Sequence, residues 1–157
     1  MTPRNPDLAQ LELQRRAYDH LIDRMTGLPK WGLLIDRTQM ALARAARTEM
    51  HVAVFVLDQP RLGDRRHLAD PGLVPVVQSL RTRLRPDDTI ARIGDLRLAV
   101  LCNDVRADAD AANIMRRMLV DVGVSCRMGV ALGSAGETAE QLLGAALLSA
   151  TERVEAA

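Results

Sequence analysis

Ile90-Ala91-Arg92-Ile93-Gly94-Asp95-Leu96-Arg97-Leu98-Ala99-Val100-Leu101 sets two apolar, β-prone runs on either side of a Gly-Asp hinge. The pattern predicts a β-hairpin over about Thr89 to Cys102, with the glycine expected to supply the positive φ that tight hairpin turns need. A hairpin tip is also a place where a sheet protein presents carboxylates to a metal or a phosphate. Here the tip carries Asp95, Leu96 and Arg97, a single acid beside an aliphatic and a cation.

Upstream of the hairpin, His51 to Leu57 is a continuous apolar run rich in valine, the mark of a central strand, and Asp58 follows at its C-terminal end. Trp31 to Arg47 carries Leu33, Leu34, Ile35, Met40, Ala41 and Ala45 at helical spacing, after the breaker Thr26-Gly27-Leu28-Pro29. Before that breaker, about Leu8 to Ile22 reads as a polar helix with Leu11, Tyr18, Leu21 and Met25 at roughly a/d spacing, a short seam that serves either packing on its own domain or dimerisation. Gln59 to Ala69 reads as a loop, and Asp70-Pro71 as the cap and first turn of a helix to about Leu84. Downstream, Asp108 to Val122 is amphipathic, about Val124 to Leu132 is a strand, and Thr138 with Gln141 forms a capping box for a last helix to about Val154. The order helix, helix, strand, helix, hairpin, helix, strand, helix implies an α/β sandwich with a mixed or antiparallel sheet covered by helices.

The 157 residues fit one domain, 23–157, preceded by the helix of residues 1–22 as a dimerisation or signalling linker. Trp31, Tyr18 and Phe55 are the only aromatics, so the core is expected to be aliphatic and the composition argues against an aromatic platform for stacking bases. The net charge is +1 and Lys30 is the only lysine among 21 basic residues; this balance gives no general pull toward nucleic acid or an anionic membrane. Arginine forks can still read planar anions and guanine edges. Without a long apolar run or a signal-like N-terminus, the expected compartment is the cytoplasm. Cys102, Cys126, His20, His51 and His67 lack metal-ligand spacing and read as core thiols and surface histidines.

Several short stretches in the same order resemble the GGDEF (diguanylate cyclase) family, over residues 23 to about 154. Asp23 to Lys30 resembles the family's D-x-L-T-G-L-P-N opening, and Phe55-Val56-Leu57-Asp58 its strand ending in a metal-binding aspartate. Ala91-Arg92-Ile93-Gly94 and Ala99-Val100-Leu101 bracket the signature hairpin. Met128-Gly129-Val130-Ala131 resembles the S-I-G-V-A strand, and Thr138 to Leu143 the start of the last helix. The resemblance implies an α+β, nucleotide-cyclase-like sandwich with a mostly antiparallel five-stranded sheet flanked by helices, in a bacterial signalling protein.

In active members the hairpin reads G-G-D/E-E-F, and its third residue helps bind the divalent metals that neutralise an attacking hydroxyl and a polyphosphate. This chain places Gly94, Asp95, Leu96, Arg97 and Leu98 there. Leucine neither ligates magnesium nor takes a proton, and a one-residue slip bringing Asp95 into its place would turn side chains to the other sheet face. Asp58 matches the first metal aspartate, but the next family acid is Pro60. Asp70 falls at the guanine-reading aspartate, but a plain helix cap before Pro71 explains it fully; Val154, beside Arg153, replaces a lysine. The resemblance therefore implies a domain without cyclase activity or magnesium, and Arg97 or a neighbouring arginine is expected to approach Asp58.

Many members carry R-x-x-D before the signature, an inhibitory site for cyclic di-GMP, and Arg85-Pro86-Asp87-Asp88 stands at that position. An arginine fork can donate to guanine O6 and N7 while an aspartate accepts from N1 and N2. The resemblance adds a further arginine from the next helix, placed by spacing at Arg116. The same four residues also read as a helix stop and a turn. Two functions follow as expectations: a regulatory sensor of cyclic di-GMP through Arg85, Asp88 and Arg116, or a nucleotide-independent module that dimerises or docks on a protein partner.

Overall fold

The β-prone run before Asp58 forms a central strand because both of its faces are covered. In the computed structural model, which describes residues 6–58, 73–122 and 126–152, that strand is β1 (His51–Asp58). The chain reaches it through α1 (Pro6–Leu21) and α2 (Trp31–Thr48), and continues through α3 (Leu73–Arg83), β2 (Thr89–Gly94), β3 (Arg97–Val105), α4 (Asp108–Val122), β4 (Arg127–Gly133) and α5 (Ala139–Glu152). The predicted loop from Gln59, the cap Asp70-Pro71, and Arg153 and Val154 lie outside the described residues. Among the described residues no helix is long and apolar enough to cross a membrane.

The sheet runs β2-β3-β1-β4, and each neighbouring pair is antiparallel. Among the described residues it has four strands where five were expected. Beyond β2, the edge meets the entry segment only at one point: Arg92 N–H donates to the Pro29 carbonyl at 2.9 Å, beside an isolated bridge between Ile22 and Pro29. Beyond β4, the chain turns directly into α5, whose cap is the predicted box: Thr138 N–H donates to Gln141 Oε1 at 3.0 Å and Gln141 N–H to Thr138 Oγ1 at 3.2 Å. Among the described residues neither edge strand has a further paired strand beside it.

Strand alternation divides the core. Ala53, Phe55 and Leu57 of β1 face Leu73, Val77 and Leu80 of α3 and Met115 and Met118 of α4. Val52, Val54 and Val56 face Leu34 and Leu42 of α2 and Leu142, Leu143 and Ala146 of α5. The second face closes more tightly because β4 has a glycine under α5. A Cβ on Gly129 would lie 2.2 Å from the Ala150 nitrogen and 2.4 Å from the Ala146 oxygen, so only glycine lets the helix backbone approach this closely.

The hairpin turns one residue later than its sequence suggested. Gly94 pairs with Arg97, leaving Asp95-Leu96 as the two-residue turn. Gly94 does not take a positive φ, nor do Asp95 and Leu96, so the primed turn types are excluded. Instead, the register shifts between Arg92 and Gly94, and this bulge absorbs the strand twist. Glycine serves there by compactness: a Cβ on Gly94 would lie 3.2 Å from the Arg97 Cβ.

Candidate functional site

At the end of β1, Asp58 stands in the row Arg97–Asp58–Arg127, its cross-strand partners on β3 and β4. Arg97 Nη2 donates to Asp58 Oδ2 at 3.2 Å, the expected approach of an arginine to this aspartate. The pair is open to water, with 42% and 29% of the two side chains exposed. Leu96 stands half-buried in the turn, and Asp95 is at its exposed tip. These residues do not fit a divalent metal: one carboxylate is held by a guanidinium, and the adjacent acid position is an aliphatic. Among the described residues no three His, Cys, Asp or Glu side chains converge as a metal site.

Arg92, absent from the expected site residues, ties this hairpin to the entry turn between α1 and α2. Its Nη1 reaches both Asp23 carboxylate oxygens at 3.3 and 3.2 Å, while Nε and Nη2 donate to the Gly94 and Asp95 carbonyls at 3.3 and 3.1 Å. Only 11% of the Arg92 and 14% of the Asp23 side chain is exposed. Asp23 also accepts from the Thr26 backbone and hydroxyl at 2.9 and 2.5 Å. Burial alone would raise its pKa, but the hydrogen bonds from Thr26 and Arg92 outweigh it and hold the carboxyl below its ordinary 3.8. The available signal was a lone arginine inside an apolar strand, which in a sheet protein needs a partner.

At the other end of the hairpin, Asp88 closes the turn after α3. Its Oδ2 accepts from the Arg85 backbone at 2.9 Å and its Oδ1 from the Asn103 backbone at 3.3 Å, while Asn103 Nδ2 donates to the Asp87 carbonyl at 2.9 Å. Burial pushes the Asp88 carboxyl above its ordinary value despite those bonds. The helix-stop reading is thus part of the structure. It does not use up the aspartate, since a carboxylate has about four acceptor positions.

Beside this turn is a cavity of about 450 Å³ bounded by Arg85, Asp88, Asn103, Asp110, Asn113 and Arg117, among others. The α4 arginine that lines this cavity is Arg117, not Arg116. Arg117 shares the helical stripe of Asn113 and Ile114. Arg116 instead donates to Asn113 Oδ1 at 3.1 Å on the exposed side of α4. Cys102 also borders the cavity, and burial drives its thiol far above the ordinary range; Cys126 is pushed up to about 11. Thiols so shifted are weak nucleophiles and metal ligands at neutral pH.

An antiparallel sheet with helices on both faces, and with a β1 carboxylate beside a two-residue hairpin, defines a domain of nucleotide-cyclase-like fold. The sequence profile described as "Diguanylate cyclase, GGDEF domain" matches residues 20–149, and the chain belongs to this family. It is 30% identical over 156 residues to the bifunctional diguanylate cyclase/cyclic di-GMP phosphodiesterase MucR of Pseudomonas aeruginosa; the match covers 88% of this chain and 22% of MucR. The chain thus spans about a fifth of that relative. Among solved structures, a sensory box/GGDEF family protein from Caulobacter crescentus superposes with a TM-score of 0.79 at 23% identity, over 87% of this chain and 99% of that one. The coiled coil and GGDEF domain of DgcB from Caulobacter crescentus, in complex with cyclic di-GMP, superposes with a TM-score of 0.76 at 18% identity, over 96% and 88% of the two chains.

Proposed function

We propose that this domain is a catalytically inactive member of its family that binds cyclic di-GMP in the cavity beside α4 and signals its occupancy to a protein partner. The observation that carries the reading is the convergence of Arg85, Asp88 and Arg117 on one cavity. Among the described residues, no carboxylate lies within ion-pair distance of either arginine. Two forks and a carboxylate acceptor match the donors and acceptors of a guanine edge and a phosphodiester. That DgcB was solved with this ligand supports the choice. Leu96 at the acid position and the Asp58–Arg97 pair support inactivity.

Calorimetric titration with cyclic di-GMP tests the binding. Saturable heat is expected, with affinity weakened about 30-fold in Arg85→Ala and Arg117→Ala and kept in Arg116→Ala. No heat at tens of micromolar ligand, about 6–7 kcal/mol of binding free energy, would end the reading. For catalysis, incubation with GTP and magnesium is expected to give no cyclic di-GMP, and turnover would refute inactivity.

A second reading has its own support. Leu8, Leu11, Leu13 and Tyr18 are all exposed along α1, so the helix offers apolar surface to a second copy or another protein. If that surface is the function, deleting residues 1–22 dissociates the assembly and cyclic di-GMP leaves it unchanged.

A further inference from the structure

A second cavity, of about 350 Å³, shares Leu84, Arg85 and Asp88 with the one beside α4 but is otherwise built from different elements. Leu28 and Pro29 of the entry turn and Ile90 of β2 supply apolar lining; Arg37 of α2 and Arg81 of α3 join Arg85 to make it basic. Three arginines and one aspartate thus line it. That carboxylate, Asp88, already accepts two backbone N–H groups.

The other arginines of the hairpin region are matched, as Arg92 is by Asp23 and Arg97 by Asp58. Arg37, Arg81 and Arg85 have no carboxylate within ion-pair distance among the described residues. Arg37 Nη1 reaches only the Thr89 hydroxyl, at 3.5 Å, the far limit of a hydrogen bond. Like charges gathered around a recess repel one another unless an anion joins them. Guanidinium forks favour phosphate oxygens, and the apolar lining favours an organic body.

We propose that this cavity is a second ligand site, taking a small organic phosphate whose phosphoryl group is bound by Arg37, Arg81 and Arg85. Arg37 and Arg81 belong to this site alone. Its existence is independent of cyclic di-GMP binding, but the two ligands compete for Arg85 if both sites operate.

The test follows the arginine side-chain Nε–H signals of the full chain by NMR during titration with inorganic pyrophosphate, with neutral adenosine as control. Saturable shifts are expected at Arg37 and Arg81, weakened about tenfold or more by Arg37→Ala or Arg81→Ala and unaffected by Arg117→Ala. The idea is overturned by absence of shifts at about 10 mM pyrophosphate, by shifts that survive both substitutions, or by shifts that Arg117→Ala removes equally. Adenosine acting as strongly as pyrophosphate would also defeat it. A chain that ignores cyclic di-GMP yet passes this test refutes only the proposed function; the converse refutes only this site.

Discussion

The tip and the base of the β2-β3 hairpin use the same residue types to opposite ends. At the tip, arginine is matched to aspartate: Arg97 holds Asp58 and Arg92 holds Asp23. At the base, the aspartate is bonded to backbone N–H groups, while Arg85 and its neighbours face two cavities. Arginine content alone therefore says little about ligand binding. What distinguishes the two ends is whether the carboxylate nearby is bonded to a guanidinium or to the main chain.

The sharpest way to break this contrast is Arg92→Ala, which strands the nearly buried Asp23 and frees the Gly94 and Asp95 carbonyls. A loss of about 3 kcal/mol in urea unfolding is expected. A change below about 1 kcal/mol would mean that the tip is not clamped to the entry turn. Next, Arg85→Ala should weaken cyclic di-GMP binding about 30-fold, roughly 2 kcal/mol by calorimetry, with no shift of the urea midpoint. A fall in stability of the same size would make Arg85 structural and erase the contrast.

Acid titration separates the two aspartates by sign. Asp23 has a lowered pKa, so its stabilising contribution is present above 3.8 and lost as pH falls through the lowered value; Asp23→Asn should flatten that acid limb. Asp88 is raised, so the folded state holds its proton longer and this group's contribution declines as pH rises through the region just above 3.8. Cyclic di-GMP binding that needs the Asp88 carboxylate weakens on acidification in that same region, before the Asp23 limb begins. The smallest effect is reserved for Arg97→Ala: its exposed pair should be worth about 0.5 kcal/mol or less in the same unfolding assay.

Local patterns in the chain led to most of the fold. The amphipathic stretch from Asp108 to Val122 is α4 to the residue, the Thr138–Gln141 box forms as read, and Arg97 meets Asp58. What failed depended on phase or distance. Family spacing along α4 pointed to Arg116, yet one residue turns a helix by about 100°, and it is Arg117 that shares the stripe of Asp110, Asn113 and Ile114 lining the cavity. Gly94 looked like a positive-φ turn residue because close packing against Arg97 leaves the same sequence mark. The fifth strand was an inference from family likeness, and the described residues form four. The Asp23–Arg92 clamp joins residues far apart in sequence, and no short window contains both.

The Arg97–Asp58 pair also has a consequence for history. Leu96→Glu by itself would add an acid to a place where the neighbouring carboxylate is already neutralised, and Arg97→Glu by itself would set two acids side by side with no cation between them. An acidic tip with a free Asp58 therefore takes two substitutions, one placing an acid at position 96 and one removing the guanidinium that holds Asp58.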